Sequence, residues 1–132
     1  MAAWIPQKGA TLFMPTGGTA GRHLFIVLND PANLDGHPPG MCLLTCVCSI
    51  PAVGVFYDTQ CLLATGCHPF VVHESYVAYK HTRLESMTSL LKGIADGVFQ
   101  PHDPCGDPPL SEIRAGIEQS RHIRRCFKNL PL

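Results

Sequence analysis

The hydrophobic period of this chain changes once, at Glu85, and that change limits the fold more than any other feature. Before it, apolar residues come in short runs closed off by Gly, Pro, Asn and Asp, the pattern of strands and turns. After it, Met87, Leu90, Leu91, Ile94 and Val98 recur at helical spacing, one face of an amphipathic helix. Strands followed by helices predict a mostly β, α+β domain. The strands are short, so the sheet is expected to bend into a small, partly closed SH3-like barrel of antiparallel strands, with two helices against one side. A length of 132 residues suits one domain, strand-rich over 8–83 and helical over 86–130.

The predicted strands are Ala10 to Met14, His23 to Leu28, the central run Met41 to Ile50, and Tyr76 to Lys80. Shorter runs at Gly54 to Asp58, Cys61 to Ala64 and Phe70 to His73 are further candidates. Pro15 to Gly21 is a glycine-rich loop, and Pro31 to Gly40 a second loop. Ser86 is placed to cap the first helix, with Gly97 near its end. Gln100 to Asp107 is a polar linker. Asp107 and Pro108 then open a second helix expected to run to about Asn129. Along it Arg114, Arg121, Arg125 and Lys128 would share one face, either simply solvated or an anion-binding stripe.

Composition excludes several classes. Lys plus Arg and Asp plus Glu number 10 each, so the chain lacks the global basic charge typical of nucleic-acid binders. Apolar residues at 45% exclude a disordered tail. No apolar run reaches the ~20 residues of a membrane span, and the first residues do not read as a signal peptide. A soluble, cytoplasmic protein without membrane contact is expected. The seven cysteines then read mainly as free, small hydrophobes. Cys46 and Cys48 would point the same way from a strand, and the apolar setting predicts an inert Cys48 thiol. Cys61, Cys67, His68 and His73 are potential zinc ligands, but C-x5-C-H-x4-H is not a pattern of closely spaced ligand pairs, so neither metal nor cofactor is expected.

Three groupings carry chemistry. Arg22 and His23 stand at the mouth of a strand after the glycine-rich loop; the guanidinium fork fits phosphate and an imidazole exchanges protons near neutrality. This pair suits phosphodiester cleavage by an RNA 2′-hydroxyl; an exposed turn arginine beside a half-buried strand histidine is the plain alternative. Ser49, at the end of the central strand, would approach them if that strand lies beside His23 to Leu28, and would hold a phosphate oxygen. The stretch Gly66 to Arg83 interleaves aromatic and basic side chains, which either stack bases and bind phosphates or cover a small core with polar tips.

The order of Gly9-Ala-Thr-Leu-Phe, a glycine-rich loop, the basic pair Arg22-His23 and an aliphatic strand resembles the start of MazF/PemK-like toxins. Gly40 to Ser49 is similar to that family's next strand, which ends in a small hydroxyl residue. Ser75-Tyr-Val-Ala-Tyr-Lys-His-Thr-Arg83 falls where the family has a strand before its helices, so the likeness covers roughly residues 8 to 98. It implies a homodimeric toxin of a toxin–antitoxin pair that cleaves single-stranded RNA, such as mRNA, without metal. The products would be a 2′,3′-cyclic phosphate and a 5′-hydroxyl, and a cognate antitoxin protein would block the groove. It implies catalytic roles for Arg22, His23 and Ser49, and RNA contacts from Thr19, Lys80, His81 and Arg83. The chain departs from the family in having His23 where proline commonly follows the arginine, no acid within 16–21, and Ala10 after the first glycine. The alternative is a non-catalytic protein- or nucleic-acid-binding module on the same fold, a gyrase-directed toxin included.

Overall fold

The computed structural model describes residues 3–15, 22–69, 71–128 and 130–132. In chain order it contains β1 (Thr11–Pro15), β2 (Arg22–Val27), β3 (Met41–Ser49), β4 (Leu62–Leu63), β5 (Ser75–Ser86), α1 (Met87–Ala95), β6 (Gln100–His102) and α2 (Pro109–Gln119), then a 3-10 turn over Arg125–Phe127. The strands form one antiparallel sheet in the order β4-β5-β3-β2-β1-β6. With the two helices this makes a small, mostly β α+β fold, as the change of period predicts.

Three expectations are corrected by packing. The sheet is open, not a closed barrel: its outer strands, β4 and β6, have two and three residues and do not pair with each other. The helices lie on opposite faces. Leu24, Ile26, Leu43, Val47, Val77 and Tyr79 pack with Leu110, Ile113 and Ile117 of α2. Their neighbours in sequence, Phe25, Val27, Cys42, Leu44, Cys46 and Ala78, pack with Leu90 of α1. β2 and β3 are apolar on both sides, so each face requires a cover. Finally, α2 stops at Gln119. Arg121, Arg125 and Lys128 therefore do not continue a helical face with Arg114.

Local signals account for much of the rest. The Ser86 side chain caps α1 by accepting from the Ser89 amide at 3.1 Å. Asp107 accepts from the amide and hydroxyl of Ser111 at 2.9 and 2.7 Å, tying down the first turn of α2. The expected linker contains β6, a Gln-Pro-His segment paired with β1 through Thr11↔His102. Pro101 is tolerated because β6 lies at the sheet edge. No strand forms over 54–58, and β5 runs well past Lys80. β5 is bent by a bulge: Leu44 pairs with Arg83 but Cys46 pairs with Ala78, so Tyr79 to Thr82 face Thr45 alone. Tyr79 and Thr82 turn inward there, whereas Lys80 and His81 are exposed.

Candidate functional site

The last bonded pair between β2 and β3 is Leu24↔Val47. Beyond it the strands carry His23 and Arg22 on one side and Cys48 and Ser49 on the other, so antiparallel pairing brings the three expected catalytic residues to one end of the sheet. Arg22 is exposed, and its Nη2 donates to the Gly97 carbonyl at 3.0 Å, just past α1. That contact uses one of five guanidinium N–H groups and holds the side chain at the strand end. His23 is half-buried opposite Met14 of β1. Ser49 is exposed and pairs with Ser75 of β5.

The other expected RNA contacts divide. Thr19 and its loop lie outside the described residues. Lys80 and His81 stand exposed on the bulge. The His81 imidazole is pushed below its ordinary pKa by partial burial, then by the charges of Lys80 and His23, which places these cations within electrostatic range. Arg83 is elsewhere. Its Nε donates to Glu85 at 3.0 Å, its Nη2 forms an ion pair with the same carboxylate, and its guanidinium carbon lies 5.9 Å from the Phe25 ring centroid. It pairs with Leu44, five residues from Ser49 along β3, or about 17 Å at strand rise. Its charge is committed to Glu85 at a distance from the strand end.

The lowered His81 pKa has a consequence for stability. Below pH ~6.5 the unfolded chain takes up a proton at His81 more readily than the folded chain does. Stability is therefore fully present above the ordinary histidine value, and falls as pH drops from there through the folded-state pKa. Thermal melts between pH 7.5 and 5 should show a shallower decline for His81→Gln than for the natural chain. Parallel curves would mean that His81 feels neither the burial nor the neighbouring charges.

The cysteine–histidine group of 61–73 is dispersed. Cys61 is buried in the α2-facing core, and His73 is exposed. His68 is buried, with Nε2 2.7 Å from the Asp103 carbonyl oxygen and its ring 5.1 Å from that of His102. Among the described residues no three His, Cys, Asp or Glu side chains are grouped to hold a metal ion.

All seven cysteines are free. Cys46 and Cys48 point to the same side of β3 with their sulfurs 3.7 Å apart. Hydrogen bonding from Cys46 lowers the Cys48 pKa to about 7, helped by the Tyr76 hydroxyl and the charge of Lys80 and opposed by burial. The same bond, together with burial, pushes Cys46 strongly upward. The sequence signal was the C-x-C spacing on a strand; Tyr76 and Lys80 come from β5, which spacing alone does not place there.

Comparison with known protein families and with curated proteins finds no match. No helix among the described residues is long and apolar enough to cross a membrane.

Proposed function

We propose that the chain is the toxin of a toxin–antitoxin pair, an endoribonuclease that cuts single-stranded RNA by attack of the 2′-hydroxyl. The observation that carries this reading is the meeting of Arg22, His23 and Ser49 at one end of the β2–β3 pair, with Lys80 and His81 exposed nearby on β5. In the proposed reaction the 2′-oxygen bonds to phosphorus as its proton leaves. The bond from phosphorus to the 5′-oxygen then breaks, and that oxygen takes a proton. His23 serves one of these proton transfers. Arg22 neutralises the phosphorane, Ser49 hydrogen-bonds a phosphate oxygen, and Lys80 and His81 hold neighbouring phosphates. The nucleophile is already part of the substrate, so no metal is required to generate one.

A binding module is the second reading, favoured by Val53, Val55 and Phe56, which stand exposed in the loop after β3 as a protein-docking surface would. A homodimer partner or an antitoxin peptide belongs with either reading.

The test is a single-stranded RNA with 2′-deoxyribose at the cleaved position, assayed in EDTA. The all-ribose strand should be cut to a 2′,3′-cyclic phosphate, and the deoxy strand should bind equally and stay intact. Equal binding with no cleavage of either strand supports the binding module. Cleavage of the deoxy strand at the same site overturns 2′-hydroxyl attack.

A further inference from the structure

A cavity of about 300 Å³ opens between the α2-facing side of the sheet and the chain that follows α2. Its apolar lining comes from Leu28 and Leu43 of the sheet side, Ile117 of α2, and Phe127, Leu130 and Leu132 beyond it. These six belong to the α2-facing core or pack against it, so the cavity continues that core outward. The exposed Ala115 and Glu118 mark its mouth. It lies at the opposite end of the β2–β3 pair from the basic strand end. Leu28, whose amide donates to the Leu43 carbonyl at 2.8 Å, is six residues past Arg22, or about 20 Å at strand rise.

The polar side chains around the cavity differ in how far they are committed. Asn29 is spent: its amide donates to the Asp30 and Met41 carbonyls, and its oxygen accepts from the Leu43 amide at 2.7 Å. Lys128 Nζ donates to the Glu118 carbonyl at 3.3 Å, which uses one of its three N–H groups. That contact draws the segment after the 3-10 turn back onto α2, so Lys128 meets Arg114 at one cavity although no helix joins them. Arg114 is half-buried. It stands four residues before Glu118 on α2, the spacing of a helical ion pair, yet the ion pairs among the described residues are Arg83–Glu85 and Lys92–Asp96. Asp107, the acid near the start of α2, is bonded to Ser111. An apolar cavity thus carries two cations at its edge, and the Arg114 fork has no hydrogen bond or ion pair among the described residues.

We propose that this cavity binds a medium-chain monocarboxylate, with its hydrocarbon chain on Leu28, Leu43, Ile117 and Phe127 and its carboxylate on Arg114 and Lys128. A planar guanidinium matches a carboxylate with two parallel N–H···O bonds, and apolar walls strengthen that attraction by lowering the local dielectric. The Glu118 carboxylate at the mouth disfavours a second negative charge, which argues for a monoanion. Volume sets the chain length. A 150 Å³ apolar cavity takes benzene, so one of twice that size takes about twelve heavy atoms, those of decanoate. At modest efficiency per atom such a ligand binds with a dissociation constant of about 0.05–2 mM.

The experiment titrates the folded full-length chain with sodium decanoate by isothermal calorimetry. Decylammonium, with the same chain and the opposite charge, and acetate, with the carboxylate and no chain, are titrated in parallel. One decanoate should bind per chain, and both comparison ions should bind at least about 10-fold more weakly. Arg114→Gln should weaken decanoate about 10-fold to 100-fold, as expected for loss of hydrogen bonds between charged groups, with the melting temperature unchanged. Arg114→Lys should lose less. Methyl NMR then locates the ligand: Leu43 and Ile117 should shift, and Leu90 on the other face of the sheet should not. No saturable binding in the stated range overturns the proposal, as does equal binding of decylammonium, which would mark a merely greasy surface. Shifts centred on Val53 and Val55 in place of Leu43 and Ile117 overturn the site. A second copy of the chain seated on the cavity, seen as a dimer that decanoate does not dissociate, overturns the ligand. The comparison of ions on the natural chain decides the matter even if an Arg114 variant folds poorly.

Discussion

Arg22→Ala is expected to slow RNA cleavage by about 10²–10³-fold, the usual cost of removing one group that stabilises charge in the transition state. Arg22 is exposed, and its hydrogen bond to the Gly97 carbonyl is at the surface, so the fold should lose about 1 kcal/mol or less. A large loss of rate with a nearly unchanged melting temperature therefore assigns the side chain to the reaction. Arg22→Lys keeps the charge but lacks the planar fork, and should fall between the two. Single-turnover cleavage and thermal melts on the same preparations make the comparison. A wild-type rate in Arg22→Ala would move the active site away from the β2–β3 end. A parallel fall in rate and melting temperature would instead mean that the arginine acts by anchoring the end of α1.

Gly116→Ala should destabilise the protein by about 1–5 kcal/mol net, against the ordinary tendency of alanine to stabilise a helix by about 1 kcal/mol. Gly116 sits in α2 where Tyr79 of β5 crosses it. A Cβ there would lie 2.0 Å from the Tyr79 hydroxyl oxygen and 2.7 Å from the adjoining ring carbon. The ring is fully buried and its hydroxyl donates to the Ile113 carbonyl at 2.7 Å. Making room costs about 1–3 kcal/mol of overpacking, and displacing the hydroxyl from its acceptor costs about 1–3 kcal/mol more. At this chain length the melting temperature should drop by roughly 10 °C. Tyr79→Phe in the same chain should recover part of the loss by removing the closer atom. Gly106→Ala is the control, since a Cβ there meets nothing within 4 Å. A neutral Gly116→Ala would show that α2 does not rest on Tyr79.

These two predictions draw on different levels of information. Arg22 and Ser49 were legible as candidates because each is a polar group at the end of an apolar run. Their meeting depended on which strand lies beside β2, and several orders were open to strands this short. Alternation put Tyr79 on the same strand face as Val77, with core cover and base stacking both open for that stretch. Nothing local says that its hydroxyl reaches Ile113 across a helix, or that Gly116 makes space for it. Arg83 shows what residue type leaves out: in the fold its guanidinium pairs with Glu85 and lies over the Phe25 ring.

The sequence by itself determined β1, β2, β3 and α1 to within a residue or a few, because each is specified by its own apolar period and by local stops such as Pro51, Ser86 and Gly97. It determined also that Cys46 and Cys48 share a side of their strand, since alternation follows from backbone geometry. Tertiary structure alone decided that Gln100–His102 is a strand, for its hydrogen bonds are made to β1 and its own residues have little strand propensity. It decided the end of α2, the bulge that exposes Lys80 and His81, and the placing of the helices on opposite faces. It also put Tyr76 of β5 across from Cys48. Those outcomes depend on partners distant in the chain, and a hydrogen bond or a charge acts through the space between groups, whatever the number of residues that separate them.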